Sequence, residues 1–327
     1  MPDWFEQLFG FQETSDAVYA NLTVDGDTLT SSANGRSWRI GMLETPTLAE
    51  LRDRVDTDRG TPIHVRNIVG EAGILHRDPA NAHALIQAAS QFNLLEMVSP
   101  EITPEEGIRG YAGDHTQGPT CAMAAAAGTV YRNYFVPIDG QLGQTANRQI
   151  DCLRDVQDLL APDGRPFFEM RNGYAMPAGG SLEAFDETFA SLRQEQLDDL
   201  RSRLRIGLHW DVETTHPNAG HLVSQAYCSA LPLAYWRTGS AQANRFAALI
   251  LDALYEATLL AAIENADSYP GAPVFLTSVG GGVFGNDERR IVDAMERAFK
   301  VCAESGLDVR IVNFGRINER FRPLERG

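Results

Sequence analysis

Pro273-Val274-Phe275-Leu276-Thr277, then Ser278-Val279-Gly280-Gly281-Gly282-Val283-Phe284-Gly285-Asn286, then residues 287–305, then Asp308-Val309-Arg310-Ile311-Val312-Asn313-Phe314 follow one another near the end of the chain. Their texture reads strand, glycine loop, helix, strand. The first run is short and apolar, as a buried strand requires. In residues 287–305, Ile291, Val292, Met295, Phe299 and Val301/Cys302 recur at the spacing of one helix face. Gly306 closes that helix and strand texture resumes at Asp308. A glycine loop ahead of a helix gathers backbone N–H groups and the positive end of the helix dipole at one point. That arrangement suits an anion, usually a phosphate or diphosphate.

Outward from this stretch, 327 residues at 43% hydrophobic suffice to bury a core. The net charge of −16, from 44 acidic against 28 basic residues, argues against general binding to nucleic acid or a membrane surface. An anion can still be held by local N–H groups, whatever the overall field. Cys121, Cys152, Cys228 and Cys302 show no CxxC spacing and sit in apolar stretches, so reduced buried thiols are expected. The N-terminus has no basic segment followed by an apolar one, and no run approaches 18 apolar residues. The expectation is a protein of the cytoplasm, or one delivered to a host cytosol without a standard signal peptide, and no membrane partner.

The rest of the chain divides into a small α+β extension over 1–60 and a main α/β domain over 61–327. In the extension, residues 2–10 read as a helix, 18–25 and 37–43 as strands around the tight-turn pair Asn34-Gly35, and 45–55 as a helix. In the main domain, 63–69 and 84–89 read as strands, and 99–118 as a long loop rich in Pro, Gly and acid. Helices are predicted over 120–134, 147–160, 181–203 and 242–266, and strands over 205–212 and 222–228. No repeat or low-complexity tract interrupts them.

Gly280, Gly282 and Gly285 satisfy GxGxxG, the dinucleotide fingerprint. That reading requires a carboxylate at the end of the next strand, where the chain has Asn313-Phe314-Gly315-Arg316, and further βα units beyond it. A P-loop is excluded because no Gly-Lys-Ser/Thr follows. A glycine turn without a ligand remains open.

The glycine loop, placed before the last helix and strand, resembles the diphosphate-binding loop of macrodomains. With residues 87–96 (Gln87 to Glu96), 113–119 (Gly113-Asp114-His115-Thr116-Gln117-Gly118-Pro119) and 225–232 (Gln225 to Pro232), the pattern is most similar to the poly(ADP-ribose)-glycohydrolase-like branch. Within it, the pattern looks closest to the bacterial MavL-type ADP-ribosylhydrolases. The likeness covers residues 63–314, with long insertions. It implies a macrodomain-like mixed sheet flanked by helices on both faces, and ADP-ribose as ligand, with no cofactor and no metal. It further implies that Ser278, Gly280, Gly281, Gly282, Val283, Phe284, Gly285, Asn286, Thr116 and Gln117 line the ADP-ribose site, and that Asn93 contacts the distal ribose. One departure stands out. The glycohydrolase signature has its triple glycine in the first loop and two adjacent glutamates several residues later. Here the triple glycine is in the last loop, and Asp287-Glu288 open a helix, where they read as first-turn stabilisers and not as catalysts.

Cleaving a glycosidic bond to ribose calls for a carboxylate that polarises water or steadies the ribose, and an acid that assists the leaving group. The loop after Asn93 supplies candidates, ranked Asp114, then Glu106, then Glu96. Asp114 as a helix cap is the bland alternative. Phe284 reads equally as a cover for ribose or adenine and as a core anchor. His209, Asp211 and Glu213, with His216 and His221, place three of the seven histidines within thirteen residues. Their spacing matches no compact zinc pattern, and a structural or substrate-orienting network is favoured over a metal. The expected function is removal of ADP-ribose from modified proteins. A non-catalytic ADP-ribose reader and an NAD(P)-dependent oxidoreductase are the alternatives.

Overall fold

The computed structural model describes all residues except 1–2, 216–219 and 237–238. Its centre is a seven-stranded sheet in the order Met42–Glu44, Gly207–Glu213, Leu222–Cys228, Leu85–Ala89, Val274–Leu276, Asp308–Asn313, His64–Val69. The five strands from Leu222–Cys228 to His64–Val69 run parallel. Gly207–Glu213 runs antiparallel between Leu222–Cys228 and Met42–Glu44, which makes the sheet mixed.

The strands are apolar because both faces are covered. Leu85, Val274 and Ile311 enter one apolar cluster while their neighbours Ile86, Phe275 and Val312 enter another, the period of two that a strand imposes. On one face lies the helix Ala241–Ser268, joined by Glu288–Val301, Leu48–Arg54 and Gln194–Ser202. On the other lie Ala72–Arg77, Gln117–Ala124 and Ala126–Val130. The α/β architecture read from the sequence, a mixed sheet between two helical layers, is the observed one. Ala241–Ser268 is long and apolar enough to cross a membrane, but 89% of its most apolar window is buried inside the protein.

Glu288–Val301 buries Ile291, Ala294, Met295, Ala298 and Phe299, the i, i+3, i+4, i+7, i+8 stripe of one face. Elsewhere local features override periodicity. Residues 15–21, in part read as strand, form the helix Ser15–Asn21 because Thr14 caps it, accepting from the Ala17 N–H at 3.2 Å. The small-residue helix of 120–134 breaks at Ala125. There Thr215 inserts into the ladder, its hydroxyl accepting from the Ala126 N–H and its own N–H donating to the Ala124 carbonyl. Within 147–160 only Arg154–Leu160 is helical, since the Cys152 backbone bonds instead to Phe92 and Arg205.

The boundary drawn at residue 60 is also redrawn by the structure. Met42–Glu44 is an edge strand of the main sheet and Leu48–Arg54 packs on the long helix, so only residues up to about 40 form the added layer. That layer has a three-stranded sheet of Leu22–Asp25, Thr28–Ser31 and Ser37–Arg39. Its apolar side chains (Phe5, Phe9, Leu29, Trp38) share one cluster with Leu95, Ile108 and Tyr111 of the long loop region.

Candidate active site

The chain leaving the carboxyl ends of Leu85–Ala89, Leu222–Cys228, Val274–Leu276 and Asp308–Asn313 lines a single cavity of about 690 Å3. Parallel strands bring their carboxyl ends to one edge of the sheet, and ligands of open α/β sheets sit outside that edge. Three loop regions supply most of the lining: 278–284, 89–98 with 113–119, and 312–321. Tyr174 and Ala230 complete it.

The glycine loop forms one wall. Gly280 has φ +78°, and a Cβ there would lie 2.4 Å from the Ala230 Cβ, so only glycine fits. At Gly282 an added Cβ would meet nothing within 4 Å. The Gly281, Gly285 and Asn286 amides are used within the loop, bonding the carbonyls of Ser278, Gly282 and Gly280 at 3.2, 3.0 and 3.1 Å. The amides of Gly280, Gly282, Val283 and Phe284 have no protein acceptor among the described residues, and all four residues line the cavity. Successive unpaired amides form a concave anion site. Two side chains hold the loop from behind. The Tyr255 hydroxyl donates to the Thr277 carbonyl at 2.7 Å and accepts from the Val279 N–H at 3.1 Å. Asn286 donates to the Leu231 and Gly280 carbonyls.

Two expectations for this loop change. Gly281, Gly285 and Asn286 do not line the cavity; they shape the loop that does. Nor does the helix end supply the anion site. Asp287 caps Glu288–Val301 itself, accepting from the Arg289 N–H at 2.9 Å, and Glu288 pairs with Arg320, so both acids serve the helix and its surroundings. Phe284 lines the cavity and also packs near Tyr174 and Tyr235, with ring centroids 5.4 and 6.4 Å away, so its two readings are compatible.

Another part of the wall carries the acids. Glu96 is 3% exposed and lines the cavity, and neither carboxyl oxygen has a hydrogen-bond partner among the described residues. Burial pushes its pKa up to about 8; the Arg132 cation opposes the rise and Asp114 adds to it. Gly118 makes the tight fit possible. A Cβ on it would stand 2.4 Å from the Ala89 carbonyl oxygen and 2.8 Å from the Glu96 Cγ. Asp114 lines the cavity beside Thr116 and Gln117, and its carboxylate accepts from the Thr116 N–H at 2.8 Å. That turn leads into Gln117–Ala124, whose first N–H groups lack intrahelical acceptors at the cavity wall.

Of the three candidate acids, Glu96 and Asp114 line the cavity, and Glu96 is the buried one. Glu106 is exposed, lies off the cavity, and accepts from the Thr103 N–H to close a short 3-10 turn. Asn93 is fully buried away from the cavity, donating to Gln149 and accepting from the Leu95 N–H. Its place next to Gly173, where a Cβ would come within 2.3 Å of Asn93 Oδ1, marks it as a turn support.

The histidine-rich segment goes elsewhere. A bulge at Asp211, with φ +53°, breaks the alternation that would put His209, Asp211 and Glu213 on one face. His209 is buried, and its Nδ1 is 3.1 Å from the Arg132 guanidinium; burial and that cation hold it neutral. Asp211 accepts from Tyr269, Glu213 accepts from the Arg39 N–H, and His221 bonds the His76 carbonyl. His216 lies outside the described residues. Among those described, no group of three His, Cys, Asp or Glu side chains is placed to hold a metal. All four cysteines are buried free thiols.

Several lining residues had no reading in the sequence: Gln91, Met97, Val98, Tyr174, Arg316, Asn318 and Phe321. Tyr174 comes from the remote hairpin Phe168–Arg171/Tyr174–Pro177, and its hydroxyl donates to the Met97 carbonyl at 2.7 Å. Phe314 carried a signal. It follows the last strand, where a ligand-contacting residue is expected, and it is 74% exposed at the cavity.

No family model and no curated protein matches the sequence. Among solved structures, it is similar to a mutant poly(ADP-ribose) glycohydrolase from Deinococcus radiodurans in complex with ADP-ribose, at 11% identity and TM-score 0.43, over 86% of this chain and 95% of that one. It is also similar to the poly(ADP-ribose) glycohydrolase from Thermomonospora curvata, at 13% identity and TM-score 0.40, over 91% and 89%. The Thermomonospora enzyme bound to the inhibitor ADP-HPD matches at 13% and 0.40, over 93% and 92%.

Proposed function

We propose that the protein is an ADP-ribosylhydrolase that binds ADP-ribose in this cavity and cleaves the glycosidic bond joining it to a modified protein. One observation carries the reading: among the described residues, a buried carboxyl without partners shares a cavity with four amides without acceptors. The amides of Gly280, Gly282, Val283 and Phe284 hold the diphosphate. Glu96, protonated at neutral pH, donates its proton to the leaving group. Asp114, at the cavity wall, orients the attacking water or a ribose hydroxyl. Phe314 offers apolar surface for the purine. The finer likeness to MavL-type enzymes, with protein-linked ADP-ribose as substrate, belongs to the same proposal.

The reader alternative leaves Glu96 without a use. An unpaired buried carboxyl lowers stability, and such groups concentrate where chemistry needs them. The dinucleotide alternative still lacks its carboxylate at Asn313-Phe314. Calorimetry with ADP-ribose, NAD and ATP, followed by release of ADP-ribose from modified protein, tests the proposal. Binding of ADP-ribose with turnover is expected. Tight binding without turnover returns the reader, and NAD(P)H binding without ADP-ribose returns the oxidoreductase.

A further inference from the structure

We propose that Glu13, in the N-terminal layer, is a positioning residue of the site: it fastens the 107–114 loop so that Glu96 and Asp114 face the glycine loop. The inference rests on the hydrolase reading above.

Glu13 is 6% exposed, and its carboxylate is held by three donors. Oε1 accepts from the Ile108 N–H at 2.8 Å and the Tyr134 hydroxyl at 2.8 Å, and Oε2 accepts from the Arg109 N–H at 2.6 Å. Gly107 has φ +82°, and a Cβ on it would fall 2.7 Å from the Glu13 carboxyl, so the loop crosses the carboxylate on a glycine. Trp4 adds a bond from its indole N–H to the Arg109 carbonyl at 2.9 Å. A side chain from the added layer thus grips two consecutive amides at the entry to the 3-10 turn Arg109–Gly113.

The grip is transmitted to both acids. Two residues past Arg109 stands Tyr111, 3% exposed, whose hydroxyl accepts from the Glu96 N–H at 2.9 Å. Three residues further stands Asp114, at the cavity wall. A shift at 108–109 therefore moves the phenol that anchors Glu96 and the turn that carries Asp114. The glycine loop is held independently, by Tyr255 and Asn286. A charged clamp has a reason to be here that an apolar plug would not: it satisfies two loop amides that burial would otherwise leave unpaired.

The test uses the full chain with Glu13→Ala, Glu13→Gln and Tyr111→Phe. Misplacing catalytic groups by about 1 Å costs on the order of 100-fold. Glu13→Ala is expected to lower kcat by that order, and Glu13→Gln, which retains one acceptor oxygen, by less. ADP-ribose affinity should stay close to the wild type in both. Amide hydrogen exchange should quicken at Ile108, Arg109 and Glu96 but not in residues 278–286. Tyr111→Phe should reproduce the exchange change at Glu96 alone. A folded Glu13→Ala protein with unchanged kcat overturns the proposal. So does a fall in kcat matched by equal losses of ADP-ribose affinity and of glycine-loop protection. If the wild type binds ADP-ribose without hydrolysing anything, the hydrolase reading has failed. The exchange pattern then decides the clamp: quickening confined to 107–114 and Glu96 supports it, and no quickening there overturns it.

Discussion

Where residues 278–284 present four amide donors without acceptors among the described residues, the wall that carries Glu96 presents a carboxyl without donors among them. The first wall is local. Its glycines, its turn and its own internal bonds lie within nine residues, and one tyrosine from the long helix steadies it. The second is assembled from afar: Glu96, Gly118, Tyr111 and Glu13 come from segments that meet only in the folded chain. The first wall suits binding and the second suits chemistry. A change in one should leave the other largely intact.

The largest expected effect comes from Glu96→Gln, which keeps the shape and removes the proton. Turnover should drop by about 10²–10⁴-fold, the usual contribution of a general acid. Calorimetric affinity for ADP-ribose should be nearly unchanged. Loss of both together would mean the walls are not separable. In the wild type, kcat should fall about tenfold per pH unit above pH 8, because Glu96 acts in its protonated form and its pKa is raised to about 8. A profile flat to pH 10 removes Glu96 as the acid.

The same group makes a prediction about stability. Its carboxyl holds its proton more tightly in the folded protein than in the unfolded chain, where its ordinary value is 4.5. Wild-type stability should therefore decline as pH rises from about 4.5 through 8, by up to roughly 5 kcal/mol from this group alone. Glu96→Gln lacks that decline, so its thermal stability relative to wild type should climb across the same window. Parallel denaturation curves at pH 5 and pH 8.5 would contradict the burial argument.

A smaller effect separates two glycines of the binding wall. Gly280→Ala must place a Cβ against Ala230 at positive φ, and should weaken ADP-ribose binding by roughly tenfold or more with a stability loss of about 1–3 kcal/mol. Gly282→Ala has open space, and its effect on thermal stability should stay within about 0.5 kcal/mol. Any loss of affinity at Gly282 then reports how closely the ligand approaches the loop. Equal destabilisation of the two variants would show that the loop is held differently.

Much of this was legible because it is periodic or local. Short apolar runs marked the buried strands, the stripe from Ile291 to Phe299 marked the last helix, and the glycines marked a loop that lines the cavity. Boundaries failed where a distant group intervened. Thr215 splits the helix at Ala125, and the bulge at Asp211 turns the histidine-rich strand away from any shared face. Among the acids, residues 96, 106 and 114 looked alike in one polar loop, and Asp114 was preferred for its neighbours.

By itself, the sequence determined the alternation of strands and helices and the glycine loop between a buried strand and the last helix, because each follows from residue type and spacing along the chain. Only the tertiary structure decided which acid is stripped of water and partners. Desolvation depends on what packs around a group from every direction, and here those neighbours, from Arg132 to Gly118, are set by contacts between segments far apart in the chain.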